Sequence, residues 1–496
     1  MSQYESIVRA MQSGQAAGAG DIKVYAQSLQ QSGGVTLLMI KDGYTRLLLA
    51  AGQGSLLDEL QGTSESGYKV CPLSHENRLV LNKHFPWTAP QAFGTQIATI
   101  GLGDRLGIAS PGHIQTVRGK NIRPILAQQS IRELNLTGRN YKEVVDAAAY
   151  AAFQEGYTDG YGADGDHLKV EADIQMALDL GFTMLTLDCS EKIDNTIEGS
   201  SEAAQAAKYA ALPESVRSHY EGRYLNQTFS AAGTTISFDK PTLIKNVLIY
   251  GAAVDFMEHV FVTYIKNAPR AIDFEISIDE TATPTAPESH FFVAKELYSR
   301  GMTIYSMAPR FCGEFQKGID YIGDIAQFEK ELKIHAGLAD DFGYKLSIHS
   351  GSDKFSVFPL IGEYTKGRFH VKTAGTNWLE AVRTVAKVNP SLYRRMHQYA
   401  LDHFEEATAY YHVKADLSLV APLDQVSDAD LAETYMSEDN ARQLIHITYG
   451  ILLQAKDAAG NSLFKDEFFR TLSDQEEAYD QSLISHIGRH LELLGK

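Results

Sequence analysis

The chain has 496 residues, 44% hydrophobic and 22% charged, which is ordinary for a globular protein and enough for two or three domains or one large barrel with additions. A formal charge of −17 argues against a nucleic-acid partner, because phosphate neutralisation needs clustered Lys and Arg; an anionic small molecule needs only a local basic pocket. No run approaches the ~20 apolar residues of a membrane span, no leader pattern opens the chain, and Cys71, Cys189 and Cys312 show no CxxC spacing. A soluble cytoplasmic protein without membrane association, disulfides or a thiolate zinc site is therefore expected.

Residues 1–90 read as a small α/β unit, in which "VTLLMI" and "RLLLAAG" flank "KDG" as a hairpin. "PWTAP" (86–90) marks a junction. Residues 91–430 read as a barrel with a helical insertion at about 190–270, and residues 431–496 as a helical C-terminal region. The strand candidates are "ATIGLG", "GYGADGD", "FTMLTLD", "IDFEISID", "TIYSMAP", "KLSIHSG", "RFHVKTAG" and "TAYYHVKA", most beside a helical stretch. Strands alternating with helices predict an α/β fold, a TIM-like (β/α)8 barrel with its site at the C-terminal strand ends. A doubly wound open sheet is the competing arrangement.

Alternation along three strands sharpens this. Ile272, Phe274, Ile276 and Ile278 face the helices, so Asp273, Glu275, Ser277 and Asp279 face inward. By the same rule Ser347, His349, His370 and Lys372 point in. A charged interior is expensive unless it binds something.

"GLGDRLG" (101–107) fails as a dinucleotide fingerprint, since Leu106 stands where glycine is required. Asp104 and Arg105 there read as pocket-lining polar groups or as an ion pair in a turn. "DGDHLKVE" fails as a calcium loop because Leu168 occupies a ligand position, but Asp166 and His167 sit together at a strand end. His167, His349 and His370 supply three imidazoles from separate strands, a sufficient shell for zinc or another first-row divalent ion with positions left for substrate. Ser350 and the following glycine offer backbone N–H groups, and Arg310 and Lys372 offer positive charge for a carboxylate-bearing substrate. Asp166 and Glu280 would act as acid and base on two sides of it, with Asp279 and Glu275 as competitors for the second role.

"GLGDRLGIASPGHI", "YGADGDHLK", "GFTMLTLD", "SIDETATPTAPE", "APRFCGEF", "LSIHSGSDKFS" and "HVKTAGT" resemble the tagaturonate epimerase family over about residues 100–376. The resemblance implies interconversion of D-tagaturonate and D-fructuronate in hexuronate catabolism, with a divalent metal (zinc, manganese, nickel or cobalt) and a keto-uronate as partner. A weaker likeness is to metal-dependent class II aldolases, which carry an Asp-His pair at a barrel strand end and a His-Gly-Gly-Ser-like turn. "DGDHL" is similar to the first; "IHSGS" departs from the second at Ser350. The two keto-uronates differ at the carbinol carbon β to the ketone, where the proton is not acidic. Retro-aldol cleavage and re-addition is then the expected route, because transient oxidation needs a nicotinamide site that the sequence lacks. An aldolase that releases the aldehyde and a non-catalytic sugar-acid binder are the rival readings.

Overall fold

A period-2 pattern on two neighbouring strands builds the start of the chain. In the computed structural model, which describes residues 3–373, 375–411 and 413–496, Val35–Asp42 and Thr45–Gly52 pair antiparallel with Asp42 opposite Thr45. The two-residue turn between them has Gly43 at a φ of 59°, a conformation glycine adopts without a Cβ clash. The hairpin is central to a six-stranded sheet. Val35, Leu37 and Met39 pack with Leu81, Tyr150 and Phe153 from helices His75–His84 and Tyr141–Gln154. Leu38, Ile40 and Leu49 point the other way, onto Ile7, Val8 and Met11 of helix Gln3–Gln12.

The chain divides into two compact units, one of Met1–Gln91, Leu102–Ala163 and Ala374–Arg489, the other of Ala92–Gly101, Asp164–Thr373 and His490–Lys496. Eight strands close a barrel in chain order: β1 Thr99–Gly101, β2 Arg123–Ser130, β3 Gly162–Leu168, β4 Met184–Asp188, β5 Asp273–Ile278, β6 Ser306–Pro309, β7 Lys345–Ile348 and β8 Phe369–Lys372. This is the expected TIM-like architecture. One strand assignment is corrected. β2 is "RPILAQQS", whereas "TAYYHVKA" (408–415) holds no strand among its described residues; its start ends helix Phe404–Thr408, and His412 lies outside the described residues. Tyr and Val gave the false segment its β character, while a proline and two glutamines hid the true one.

Residues 190–270 are largely helical as expected, with helices Glu202–Ala210, Glu214–Tyr224 and Lys240–Val260; between the last two lies a hairpin, Gln227–Ala231 with Thr234–Phe238, that the sequence reading did not name. Lys240–Ile265 is long and apolar enough to cross a membrane by length and composition, against the expectation that no segment is. Its Leu243, Val247, Tyr250, Val254 and Met257 are buried, and it packs on helices Glu202–Ala210 and Pro287–Ser299. From Thr376 onward the described residues form helices and turns with no strand, and Trp378, Tyr393, Leu444 and Phe468 share one core. A cavity of about 1030 Å³ in the first unit is lined by Lys23, Arg46, Glu155, Glu476 and Asp480 among others. Glu476 there is already held by Lys23 at 2.8 Å and Arg46 at 2.9 Å.

Candidate active site

Outward side chains fix the inward ones. Phe274, Ile276 and Ile278 of β5, Leu346 and Ile348 of β7, and Phe369 and Val371 of β8 are all buried, which turns Glu275, His349 and Lys372 into the barrel. The Lys372 ammonium lies 2.6 Å from Asp166 Oδ1, 2.8 Å from Glu275 Oε1, 3.1 Å from Asp164 Oδ2 and 2.5 Å from Thr186 Oγ1. Burial opposes ionisation of Asp166 and Glu275, but this cation outweighs it and holds both carboxyls well below the usual carboxylate range. Asp164, fully buried, is shifted the other way by burial.

Above this cluster His167 and His349 face each other with ring centroids 4.8 Å apart. His167 Nδ1 lies 2.9 Å from Asp166 Oδ1, so Nδ1–H donates to the carboxylate and Nε2 is the ring nitrogen left for another partner. His349 bridges two carboxylates, with Nε2 2.9 Å from Glu275 and Nδ1 3.1 Å from Asp279. Burial would lower the pKa of His349; Asp279 and Glu275 outweigh it and push it up to about 10.

Ligand atoms of His167, His349 and Asp279 lie within 4.8 Å of one another. Two imidazoles and a carboxylate suit a first-row divalent ion. The charge balance fits as well: Asp164, Asp166 and Glu275 face one ammonium, Asp279 faces the His349 ring, and a cation there would take the place of the proton on His349. Nε2–H donation to Glu275 leaves Nδ1, beside Asp279, as the His349 atom that could hold such an ion.

The structure thus brings together His167, His349, Asp166 and Lys372, but not His370. His370 is level with Ser347, two residues below His349 in the β7–β8 register; its Nδ1 lies 2.9 Å from Thr99 Oγ1, and burial pushes its pKa down to about 3. Asp279 stands where the third imidazole was expected. Glu280 is exposed just past β5, its backbone carbonyl accepting from Asn195 Nδ2 at 3.1 Å. Arg310 follows β6, half-buried, and donates to the Thr281 carbonyl, with no carboxylate partner among the described residues. Ser350 is half-buried with a φ of 49°.

In the other unit, Asp104 accepts from the backbone N–H groups of Leu106, Gly107 and Ala109 and from Asn377. Arg105 pairs with Glu133, Nε at 2.8 Å, and stacks 3.9 Å over the Tyr449 ring. Both side chains are thus engaged in structural contacts, but Arg105 pairs with Glu133 and not with Asp104 as an ion pair within the turn would require. Asp164 and Thr186 were given no role by sequence reasoning. Alternation puts Asp164 on the same face as Asp166, whereas Thr186 is turned inward by its pairing opposite Glu275, which only the structure shows.

Residues 25–494 match the family model for tagaturonate epimerase. The chain belongs to the tagaturonate epimerase family. It is 42% identical over 480 residues to the tagaturonate/fructuronate epimerase of Thermotoga maritima, covering 95% of this chain and 97% of that protein. A glycerol-complexed crystal structure of the fructuronate-tagaturonate epimerase of Cohnella laeviribosi superposes with a TM-score of 0.95 at 66% identity, covering 99% of both chains. A native structure of the same enzyme gives 0.95 at 65% identity over 99% of each. As a tagaturonate epimerase family member the chain is an isomerase, and the resemblance carried by the barrel motifs is borne out.

Proposed function

We propose that this chain interconverts D-tagaturonate and D-fructuronate by retro-aldol cleavage and re-addition, with a divalent ion held by His167, His349 and Asp279. The observation that carries this reading is the meeting of those three ligand groups beside Asp166. Asp166 Oδ1 is taken by Lys372 and His167, which leaves Oδ2 without a partner among the described residues. The β hydroxyl of the substrate loses its proton to that oxygen. The bond between the α and β carbons breaks, its electron pair moves toward the ketone to give an enediolate, and the β carbon becomes an aldehyde. The aldehyde presents its other face, the bond re-forms, and the new alkoxide takes a proton from a second acid. Glu280, exposed beyond β5, serves that face, because Glu275 is bound by Lys372 and His349, and Asp279 by His349. When bound, a zinc, manganese, nickel or cobalt ion supplies Lewis-acid polarisation of the ketone and its neighbouring hydroxyl.

Arg310 receives the substrate carboxylate, since its guanidinium meets only a backbone carbonyl among the described residues. Ser350 hydrogen-bonds a hydroxyl group from the turn after β7. A small anionic substrate of central metabolism accords with a cytoplasmic setting. Substrate deuterated at the inverted carbon tests the route: carbon–carbon cleavage predicts an isotope effect near unity, and a primary isotope effect would instead mean hydride transfer at that carbon.

A further inference from the structure

We infer that Lys372 is a positioning residue of this reaction, holding Asp166 and Glu275 in place, and that it does not bind the substrate carboxylate. The inference rests on the functional reading above and departs from the sequence expectation that Lys372 offers charge to the substrate. An ammonium has three N–H donors. Those of Lys372 already face four acceptors on three strands: Asp166 Oδ1 at 2.6 Å, Thr186 Oγ1 at 2.5 Å, Glu275 Oε1 at 2.8 Å and Asp164 Oδ2 at 3.1 Å. The residue is 4% exposed, so an incoming carboxylate would have to displace one of these partners inside the barrel.

Each contact has a consequence above it. Binding Asp166 at Oδ1 leaves Oδ2, which has no partner among the described residues, for the substrate and sets the carboxylate that orients His167. Binding Glu275 at Oε1 sets the oxygen that holds His349 Nε2, leaving its second oxygen to Ser306. One cation therefore aims the base and, through two carboxylates, both imidazoles. Loss of aim lowers turnover and leaves ground-state binding intact, because a small misplacement of an acid–base group costs far more in rate than in affinity. A carboxylate-binding residue shows the reverse pattern.

The test measures kcat and KM for D-tagaturonate with metal-loaded wild type, Lys372→Met, Lys372→Arg and Arg310→Met, with folding followed by circular dichroism. Lys372→Met should lower kcat by 10²-fold or more with KM within about threefold, the scale of a displaced general base. Lys372→Arg keeps the charge but not the compact three-way geometry, so it should lose at least tenfold in kcat at unchanged KM. Arg310→Met should chiefly raise KM. A tenfold rise in KM with kcat preserved in either Lys372 variant overturns the inference and makes Lys372 a substrate ligand. Near-normal kinetics in either variant overturns it as well. If Lys372→Met does not fold, Lys372→Arg decides by the same criterion; failure of both to fold makes the residue structural and overturns it. No epimerisation by wild type overturns the functional reading itself, and is told apart because no variant is needed to see it.

Discussion

Metal binding at this site must compete with a proton. His349, clamped between Asp279 and Glu275, has its pKa pushed up to about 10, so at pH 7 its imidazole is an imidazolium in the metal-free protein. A metal takes only the neutral ring. Removing that proton at pH 7 spans about 3 pH units, or ~4 kcal/mol at 1.36 kcal/mol per unit. The apparent affinity for Mn²⁺ or Zn²⁺ should therefore rise about tenfold per pH unit below pH 10, and binding should release close to one proton. An ordinary histidine, with a pKa of ~6.5, would give almost no slope between pH 7.5 and 8.5. Isothermal titration calorimetry over that interval, in buffers of different ionisation enthalpy, reads both quantities. A flat affinity with no proton released would refute His349 as a ligand exchanging a proton for the ion.

Asp166→Asn should keep metal and fold while losing ~10²–10⁴-fold in kcat; loss of metal by elemental analysis would make Asp166 a ligand. Glu280→Gln should behave likewise, and near-normal turnover would move the second acid to Asp279 or Glu275. Glu476, where burial is outweighed by Arg46 and Lys23, has its pKa lowered from 4.5 to about 2. The stability this gives is present above pH ~4.5 and lost as pH falls toward 2, so Glu476→Gln should cost ~3 kcal/mol at pH 7 but only ~1 kcal/mol at pH 3 in urea titrations. An equal cost at both pH values would contradict that linkage. Arg105→Met leaves Glu133 buried without its cation and should destabilise the protein by about 3–5 kcal/mol in the same assay; a neutral effect would contradict the buried pair.

Strand alternation carried most of what was legible in the sequence. It placed Glu275, His349 and Lys372 inside the barrel because their neighbours Ile276, Ile348 and Val371 had to face helices. It could not say how high each stood. His370 and His349 both point inward, yet the β7–β8 pairing sets His370 opposite Ser347 and leaves His349 above the strand end. Register is fixed by pairing between distant segments, and one chain read alone does not contain it. For the same reason Asp279 read as a possible acid and not as a ligand, and Lys372 as a free cation and not as the centre of three carboxylates. β2 was missed because its polar Gln128 and Gln129 break an apolar run that only the barrel's closure requires.

The most direct measurement follows D-tagaturonate by ¹³C NMR with chelated enzyme and after restoring Mn²⁺ or Zn²⁺. The predicted result is no conversion without the ion and, with it, D-fructuronate in a ratio also reached from the opposite isomer, with no three-carbon fragments. Accumulating fragments would make the protein an aldolase, and binding without conversion in the presence of either ion would contradict an epimerase outright.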